Sequence, residues 1–82
     1  MKTNEAKQKI KGLLHAKGYD VVFLHNDPKL QHIEIVVADG WNRFVGQYDV
    51  SYENNELFVY GMCSNEPLHT MRVLKALKEG KE

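Results

Sequence analysis

The chain has a single cysteine, Cys63, and this scarcity excludes an intramolecular disulfide framework. It also has no run of about 18 apolar residues, so the sequence predicts no membrane-spanning helix. Residues 1–5 lack the apolar stretch of a secretory signal, and we therefore expect a protein of the reducing cytoplasm. The 82 residues are enough for one domain, 1–82, whose fold must depend on its own hydrophobic core.

The sequence also lacks the motifs that carry catalysis or hold a cofactor. It has no glycine-rich phosphate loop, because Gly40, Gly46 and Gly61 fall in predicted turns and strands. Cys63 and Ser64 precede a predicted helix, but the chain places no base beside either of them. We interpret Cys63 as a small buried residue and Ser64 as a helix cap. We therefore expect no enzymatic activity and no cofactor.

Two of the four histidines raise the question of a metal site. If Pro28-Lys29 forms a hairpin loop, His25 and His32 lie opposite each other on neighbouring strands. A stable zinc site needs further protein ligands, and Glu34 is the only candidate that the sequence places nearby. We expect no metal site here. A pH-sensitive contact through the two histidines is the alternative.

The formal net charge is zero, but the charges are divided along the chain. Residues 1–18 and 68–82 together hold nine basic and three acidic residues, whereas residues 19–67 hold two basic and eight acidic residues. Such a division bears on partners and solubility rather than on the fold. It agrees with lysine-bearing solvent faces of helices at both ends and with acidic turns between them.

Two turn signals organise the middle of the chain. Asp39-Gly40 and Asn54-Asn55 suit the left-handed torsion angles of two-residue hairpin turns. The first turn would place Ile35 opposite Phe44. Tyr48 falls on the apolar side of both resulting ladders, so the two hairpins are predicted to merge into one sheet with one apolar face.

Segments whose apolar residues recur at helical spacing precede and follow the predicted strands. The first helix is predicted to begin near Thr3 and to end at Gly18, and Pro67 lies in the first turn of the last helix. Strands are predicted at about 19–25, 31–38, 41–52 and 57–62. The expected fold is an α+β two-layer sandwich in the order α-β-β-β-β-α, a four-stranded antiparallel meander with both helices on one face.

The hydrophobic core is predicted to lie between these two layers. The sheet contributes apolar residues at alternating positions, and each helix contributes one apolar stripe. The predicted core comprises Val22, Leu24, Ile33, Ile35, Val37, Phe44, Tyr48, Val50, Tyr52, Leu57, Val59, Ile10, Leu13, Leu14, Leu68, Met71, Leu74 and Leu77.

The opposite side of the sheet has no predicted cover. A solvated sheet face is mostly polar, but here aromatic and other apolar residues interrupt that pattern. Exposed aromatic and methionine side chains grouped on one surface are typical of an interface. The alternative is that side chains on adjacent strands merely shelter one another. The predicted partner-binding residues are Trp41, Arg43, Val45, Phe58, Tyr60, Met62 and His32.

These features predict a small noncatalytic module that docks on another protein, or on a second copy of itself, through this uncovered face. The aromatic residues would anchor the contact, and Arg43 and His32 would orient it. The small size would suit an accessory or inhibitory protein of a phage or plasmid, although no motif identifies such a family.

The competing hypothesis is a nucleic-acid-binding domain that uses the helix layer. The nearest familiar topology is that of the double-stranded-RNA-binding domain, but its lysine cluster at the start of the last helix is replaced here by Glu66-Pro67-Leu68-His69. Residues 57–61 resemble a base-stacking strand of the RNA-recognition fold, which has a different element order. The predicted contacts of this hypothesis are Lys7, Lys11, Lys75 and Lys78.

Overall fold

The computed structural model describes residues 2–54, 56–64 and 66–79. The strands form one antiparallel sheet in the order β1-β2-β3-β4, and one core cluster joins both helices to the same side of that sheet. The predicted α+β sandwich is therefore confirmed. The elements are α1 Thr3–His15, β1 Asp20–Asp27, β2 His32–Ala38, β3 Phe44–Glu53, β4 Glu56–Ser64 and α2 Pro67–Lys78.

The ends of α1 are held by two different kinds of contact. Its N-cap is Lys2, whose side chain makes no capping bond, and the hydroxyl of Thr3 is hydrogen-bonded to the hydroxyl of Tyr52 on β3 at 2.5 Å. Gly18 ends the helical segment with a φ of 84°, and the backbone N–H of Tyr19 then donates to the carbonyl of Leu14 at 3.0 Å. A left-handed glycine is the usual way to stop a helix, as the sequence predicted.

The β3–β4 hairpin has the predicted register at its turn. Glu53 pairs with Glu56 and Tyr52 with Leu57, which leaves the two-residue loop of the prediction. Asn54 has the left-handed φ of 51° that such turns require, while Asn55 lies outside the described residues.

The β2–β3 connection differs from its prediction as a two-residue turn at Asp39-Gly40. The connection spans residues 39–43, and Ile35 pairs with Tyr48 rather than Phe44. Oδ1 of Asp39 accepts the backbone N–H groups of Trp41 at 2.9 Å and Arg43 at 3.0 Å, which stabilises the wider loop. Mainly because of the Arg43 N–H, the pKa of Asp39 is lower than its ordinary value.

Every pair of neighbouring strands contains one shift of register. The extra residue is Leu24 in β1, Val45 in β3 and Tyr60 in β4. Such a β-bulge places two residues opposite one, so the alternation of side chains changes sides along that strand.

The bulges alter which apolar residues of the strands reach the core. Val21 and Phe23 pack against the core, whereas Val22 and Leu24, both predicted to be core residues, are exposed. Phe44 is likewise exposed, because the bulge after it moves it to the other side of the sheet. The predicted placement of these three residues was therefore wrong.

The apolar stripe of α2 is also rotated from its predicted position. Val73, Ala76 and Leu77 are the buried residues of this helix, at the i, i+3, i+4 spacing of one helix face. Leu68 and Met71 are exposed, contrary to the prediction. Val73, Ala76 and Leu77 all belong to the core cluster that also contains residues of α1 and the sheet.

Candidate partner-binding face

The strand residues that point away from the helices form one continuous surface, which we call the open face. Most of its members follow from the register, because residues paired across an antiparallel ladder share a side of the sheet. The bulge residues Tyr60 and Leu24 have no paired partner, and we include Tyr60 for its ring contact with His32 and Leu24 for its exposure. None of them is buried. The open face comprises Asp20, Val22, Leu24, His25, Asp27, His32, Glu34, Val36, Ala38, Phe44, Gln47, Asp49, Ser51, Glu53, Glu56, Phe58, Tyr60, Gly61 and Cys63.

Large apolar side chains are exposed at several positions of the open face. On β4, Phe58 is 47% exposed and Tyr60 is 53% exposed. On the opposite edge strand, Val22 and Leu24 are more than half exposed, and Phe44 is similarly exposed at the start of β3. The exposed apolar side chains of β1 and β4 lie at opposite edges of the sheet, with mostly polar residues of β2 and β3 between them. Exposed apolar patches bordered by polar groups are typical of contact sites for other molecules.

Tyr60 forms one wall of a hollow on this face. Its ring lies 4.4 Å from the ring of His32, centroid to centroid, at a tilt of 35°. Partial burial among its neighbours, together with the charges of Asp49 and Glu34, raises the pKa of Tyr60 above its ordinary value. The hollow is lined by His25, Asp27, Leu30, His32, Glu34 and Tyr60.

The charges of the open face are of one sign. Its carboxylates are Asp20, Asp27, Glu34, Asp49, Glu53 and Glu56, and none of its described residues is lysine or arginine. Two pairs of these carboxylates are directly opposite each other, Glu34 with Asp49 and Glu53 with Glu56. Like charges in such cross-strand positions destabilise a sheet.

Asp49 lies near the middle of the open face over a glycine. A Cβ atom at Gly61 would come within 2.9 Å of Oδ2 of Asp49, so Gly61 leaves space for this carboxylate. Oδ1 of Asp49 is buried and has no hydrogen-bond partner among the described residues. The packing of the face thus keeps a carboxylate that the protein itself does not fully satisfy.

Trp41 and Arg43 lie in the β2–β3 loop at one end of the open face. The Trp41 side chain is 82% exposed. Nε of Arg43 donates to Oδ2 of Asp39 at 3.2 Å, so its guanidinium is tied to the loop that carries it. Both residues border the open face rather than belong to the strands.

Two of the predicted partner-binding residues lie on the other side of the sheet. Val45 is the bulge residue of β3 and is only 2% exposed, so its prediction as a surface residue was wrong. Met62 pairs with Tyr48, a core residue, because the bulge at Tyr60 shifts the alternation of β4. Met62 is accessible, but its register places it on the helix side rather than on the open face.

The two histidines are not opposite each other. His25 pairs with Glu34 and His32 with Asp27, because the loop spans residues 28–31 and β1 contains a bulge. Within residues 2–54, 56–64 and 66–79, no group of three His, Cys, Asp or Glu side chains is arranged to hold a metal ion.

The cysteine and the serine before α2 have different surroundings. Cys63 is exposed on the open face, where it pairs with Gln47, so its interpretation as a buried residue was wrong. The hydroxyl of Ser64 donates to the carbonyl of Val45 at 3.0 Å and accepts the hydroxyl of Thr70 at 2.6 Å. It therefore joins β3 to the first turns of α2. The N-cap of this helix is Glu66, without a side-chain capping bond, so the interpretation of Ser64 as the helix cap was wrong.

The lysines predicted for nucleic-acid binding are distributed around the molecule. Nζ of Lys7 lies 5.6 Å from the ring centroid of Phe23 on β1, whereas Lys78 lines a hollow beside Phe58 on β4. These two strands are the opposite edges of the sheet. Lys11 and Lys75 are exposed on α1 and α2. A separate basic hollow is lined by Lys17, Arg72 and Lys75.

Sequence reasoning missed Val22, Leu24 and Phe44 as members of the open face. Residues 21–24 are all apolar, so their sequence carries no alternation that would assign a side of the sheet. The like-charge pair of Glu53 and Glu56 could have been found, because it follows from the turn that the sequence predicts.

No protein-family model matches this chain, and no curated protein or solved structure shows significant similarity to it. None of the described helices is both long enough and apolar enough to cross a membrane.

Proposed function

We propose that this chain is a noncatalytic module that binds a protein partner through the open face. The observation that carries this proposal is the group of large apolar side chains left accessible on the side of the sheet without helices. The main anchors are Phe58 and Tyr60 on β4. Further apolar contacts on the other strands come from Val22, Leu24 and Phe44. Aromatic side chains at such positions bury large areas at a low cost in rotamer entropy.

The experiment compares two double variants that remove similar amounts of exposed apolar surface. Phe58→Ser with Tyr60→Ser alters the open face, and Leu68→Ser with Met71→Ser alters an exposed part of α2. We expect a partner captured from an extract of the expressing cells by the native chain to be lost with the first variant and retained with the second.

Circular dichroism of both variants accompanies this capture. Both should unfold cooperatively near the temperature of the native chain, because the substituted side chains are exposed. Unfolding of the Phe58 and Tyr60 variant would mean that these rings stabilise the domain rather than bind a partner. Loss of the captured protein with the α2 variant alone would transfer the site to the helix layer.

A nucleic-acid-binding domain is the second candidate. It is favoured by the hollow that Lys17, Arg72 and Lys75 line on the helix side. Replacement of Lys7, Lys11, Lys75 and Lys78 by Gln would then abolish binding to nucleic acid, and the native affinity would fall steeply with salt because phosphate contacts release counterions. On the leading proposal this replacement leaves partner binding unchanged.

A further inference from the structure

We infer that the partner of the open face presents lysine or arginine side chains around an apolar centre. The inference rests on the proposed function and adds the chemistry of the partner. It follows from the distribution of charge on the open face and from two like-charge pairs there that destabilise the isolated domain.

Charge complementarity favours a basic partner. The strands contribute six carboxylates to the open face and, among the described residues, no lysine or arginine. The nearest basic residues of the sheet region, Lys29 and Arg43, lie in loops, and the guanidinium of Arg43 pairs with Asp39. A surface of one sign selects partners of the opposite sign and repels those of the same sign.

The positions of the carboxylates add to this preference. Glu34 lies directly opposite Asp49 on the two central strands, and Glu53 lies directly opposite Glu56 beside the β3–β4 turn. Each pair costs stability in the free domain, because like charges face each other across the ladder. An ammonium or guanidinium group placed between two carboxylates removes this repulsion and gains charge-assisted hydrogen bonds. The cost is therefore relieved when a basic partner is bound.

Apolar and charged groups are interleaved on the open face. Phe58 lies between the Glu53–Glu56 pair and Tyr60 along β4, and Tyr60 is close enough to Glu34 and Asp49 for their charges to act on its phenol. A partner that binds here therefore contacts apolar rings and carboxylates at the same time. An amphipathic segment with alternating apolar and basic side chains has the complementary pattern.

A second copy of the chain is a poorer occupant. Two open faces of the same sign repel each other, which disfavours a symmetric dimer through this surface. The basic helix layer of another copy would attract it, but such a head-to-tail contact produces a closed ring or a filament rather than a simple two-fold dimer. We therefore assign the open face to a different, basic protein.

The test uses two labelled synthetic peptides with identical leucine positions on one helical face. One carries lysine and the other glutamate at the remaining positions. We expect the native chain to bind the lysine peptide at least about tenfold more tightly, and this preference to shrink as salt is added. Fluorescence anisotropy measures both affinities.

Two triple variants with the same change of net charge show whether the preference for the lysine peptide arises at the open face. Glu34→Gln, Glu53→Gln and Glu56→Gln remove three of the six carboxylates of the open face, whereas Glu5→Gln, Glu66→Gln and Glu79→Gln remove three carboxylates outside it. The first triple variant should lose about tenfold in affinity for the lysine peptide, and the second should stay within about twofold of the native chain. Equal losses in both variants, or no loss in the first, would overturn the inference.

The outcomes also separate this inference from the proposed function. If Phe58→Ser with Tyr60→Ser weakens both peptides equally while the open-face charge variant weakens neither, the face binds proteins but not because they are basic. If sedimentation shows concentration-dependent oligomers of the native chain that both the open-face charge variant and Lys11→Gln with Lys75→Gln abolish, the occupant is a second copy, and the inference is overturned.

Discussion

The two faces of the sheet are built from alternating residues of the same strands, yet they have opposite properties. On the helix side, Ile33, Ile35 and Val50 are fully buried. On the open face, their neighbours Glu34 and Asp49 form a like-charge pair, and the nearby rings of β4 are accessible. The burial of apolar area accounts for the residue types on the helix side. It does not account for the residue types on the open face.

The residues that stabilise the domain therefore differ from the residues that are accessible to other molecules. A sheet face selected only for stability would carry pairs of opposite charge and β-branched polar residues. The open face instead combines exposed aromatic rings with two opposed carboxylate pairs, Glu34 with Asp49 and Glu53 with Glu56. Stability alone therefore does not account for the composition of the open face.

The largest expected effect comes from truncating one side chain on each face. Ile35→Ala removes a fully buried side chain and should cost about 2–5 kcal/mol of unfolding free energy, because it leaves a cavity. Leu24→Ala removes a similar volume from the open face, where the side chain is already more than half exposed, and should cost less than about 1 kcal/mol. Chemical denaturation measures both. Equal costs would mean that the open face is packed as a core.

A smaller effect is expected from two glycines that differ in their surroundings. A Cβ at Gly46 would lie 2.9 Å from the hydroxyl oxygen of the buried Tyr48 and 3.1 Å from Cβ of Ser64. Gly46→Ala should therefore destabilise the protein by about 1–3 kcal/mol through overpacking.

The control for this prediction is Gly12→Ala. Gly12 lies inside α1, and a Cβ atom added there would meet no atom within 4 Å, so alanine should stabilise the helix by about 0.5–1 kcal/mol. The two alanine variants should move the thermal midpoint in opposite directions. A stable Gly46→Ala variant would show that Tyr48 has room to move.

The smallest effect concerns the charges of the open face. Glu34→Gln removes the repulsion between Glu34 and Asp49 and should stabilise the free domain by about 0.2–1 kcal/mol at low salt. The gain should shrink as salt screens the charges of the native chain. Thermal unfolding over a series of salt concentrations measures this effect, and a destabilised variant would mean that Glu34 makes a favourable contact.

The same variant makes a prediction for pH. The charge of Glu34 is one of the causes that raise the pKa of Tyr60, because a phenolate is repelled by a neighbouring carboxylate. In Glu34→Gln this cause is removed, so the phenol should titrate at a lower pH than in the native chain. Titration of the Tyr60 ring signals by NMR in the native chain and in the variant measures the difference, and an unchanged titration would mean that Glu34 does not act on the phenol.

The sequence could predict much of the fold because its signals are local. Asn54 allows the left-handed torsion of a tight turn, and this alone sets the pairing of Tyr52 with Leu57 and of Val50 with Val59. The predicted helix end at Gly18 is confirmed for the same reason, since only its own torsion angle matters. For the candidate site, the same hairpin is sufficient to place Phe58 on the side of the sheet opposite Leu57 and Val59.

The remaining parts of the site depended on side-chain contacts that turn propensity alone does not specify. The carboxylate of Asp39 closes a five-residue loop where the Asp39-Gly40 pair alone predicted a shorter turn. This loop is three residues longer than predicted, and the bulge at Val45 adds one more, so beyond the bulge the β2–β3 register is shifted by four residues. For this reason Ile35 and Tyr48 still face the core although their predicted partners were wrong.

The sequence by itself determined the order α-β-β-β-β-α, the sheet meander and the acidic character of its strands. This was possible because turn propensity, hydrophobic periodicity and charge are properties of short segments of the sequence. Only the tertiary structure decided where the three bulges fall, and thereby that Val45 is buried while Phe44 and Leu24 are exposed. A bulge has little local signature here, since it is fixed by how the strands fit each other and the helices that cover one side of them.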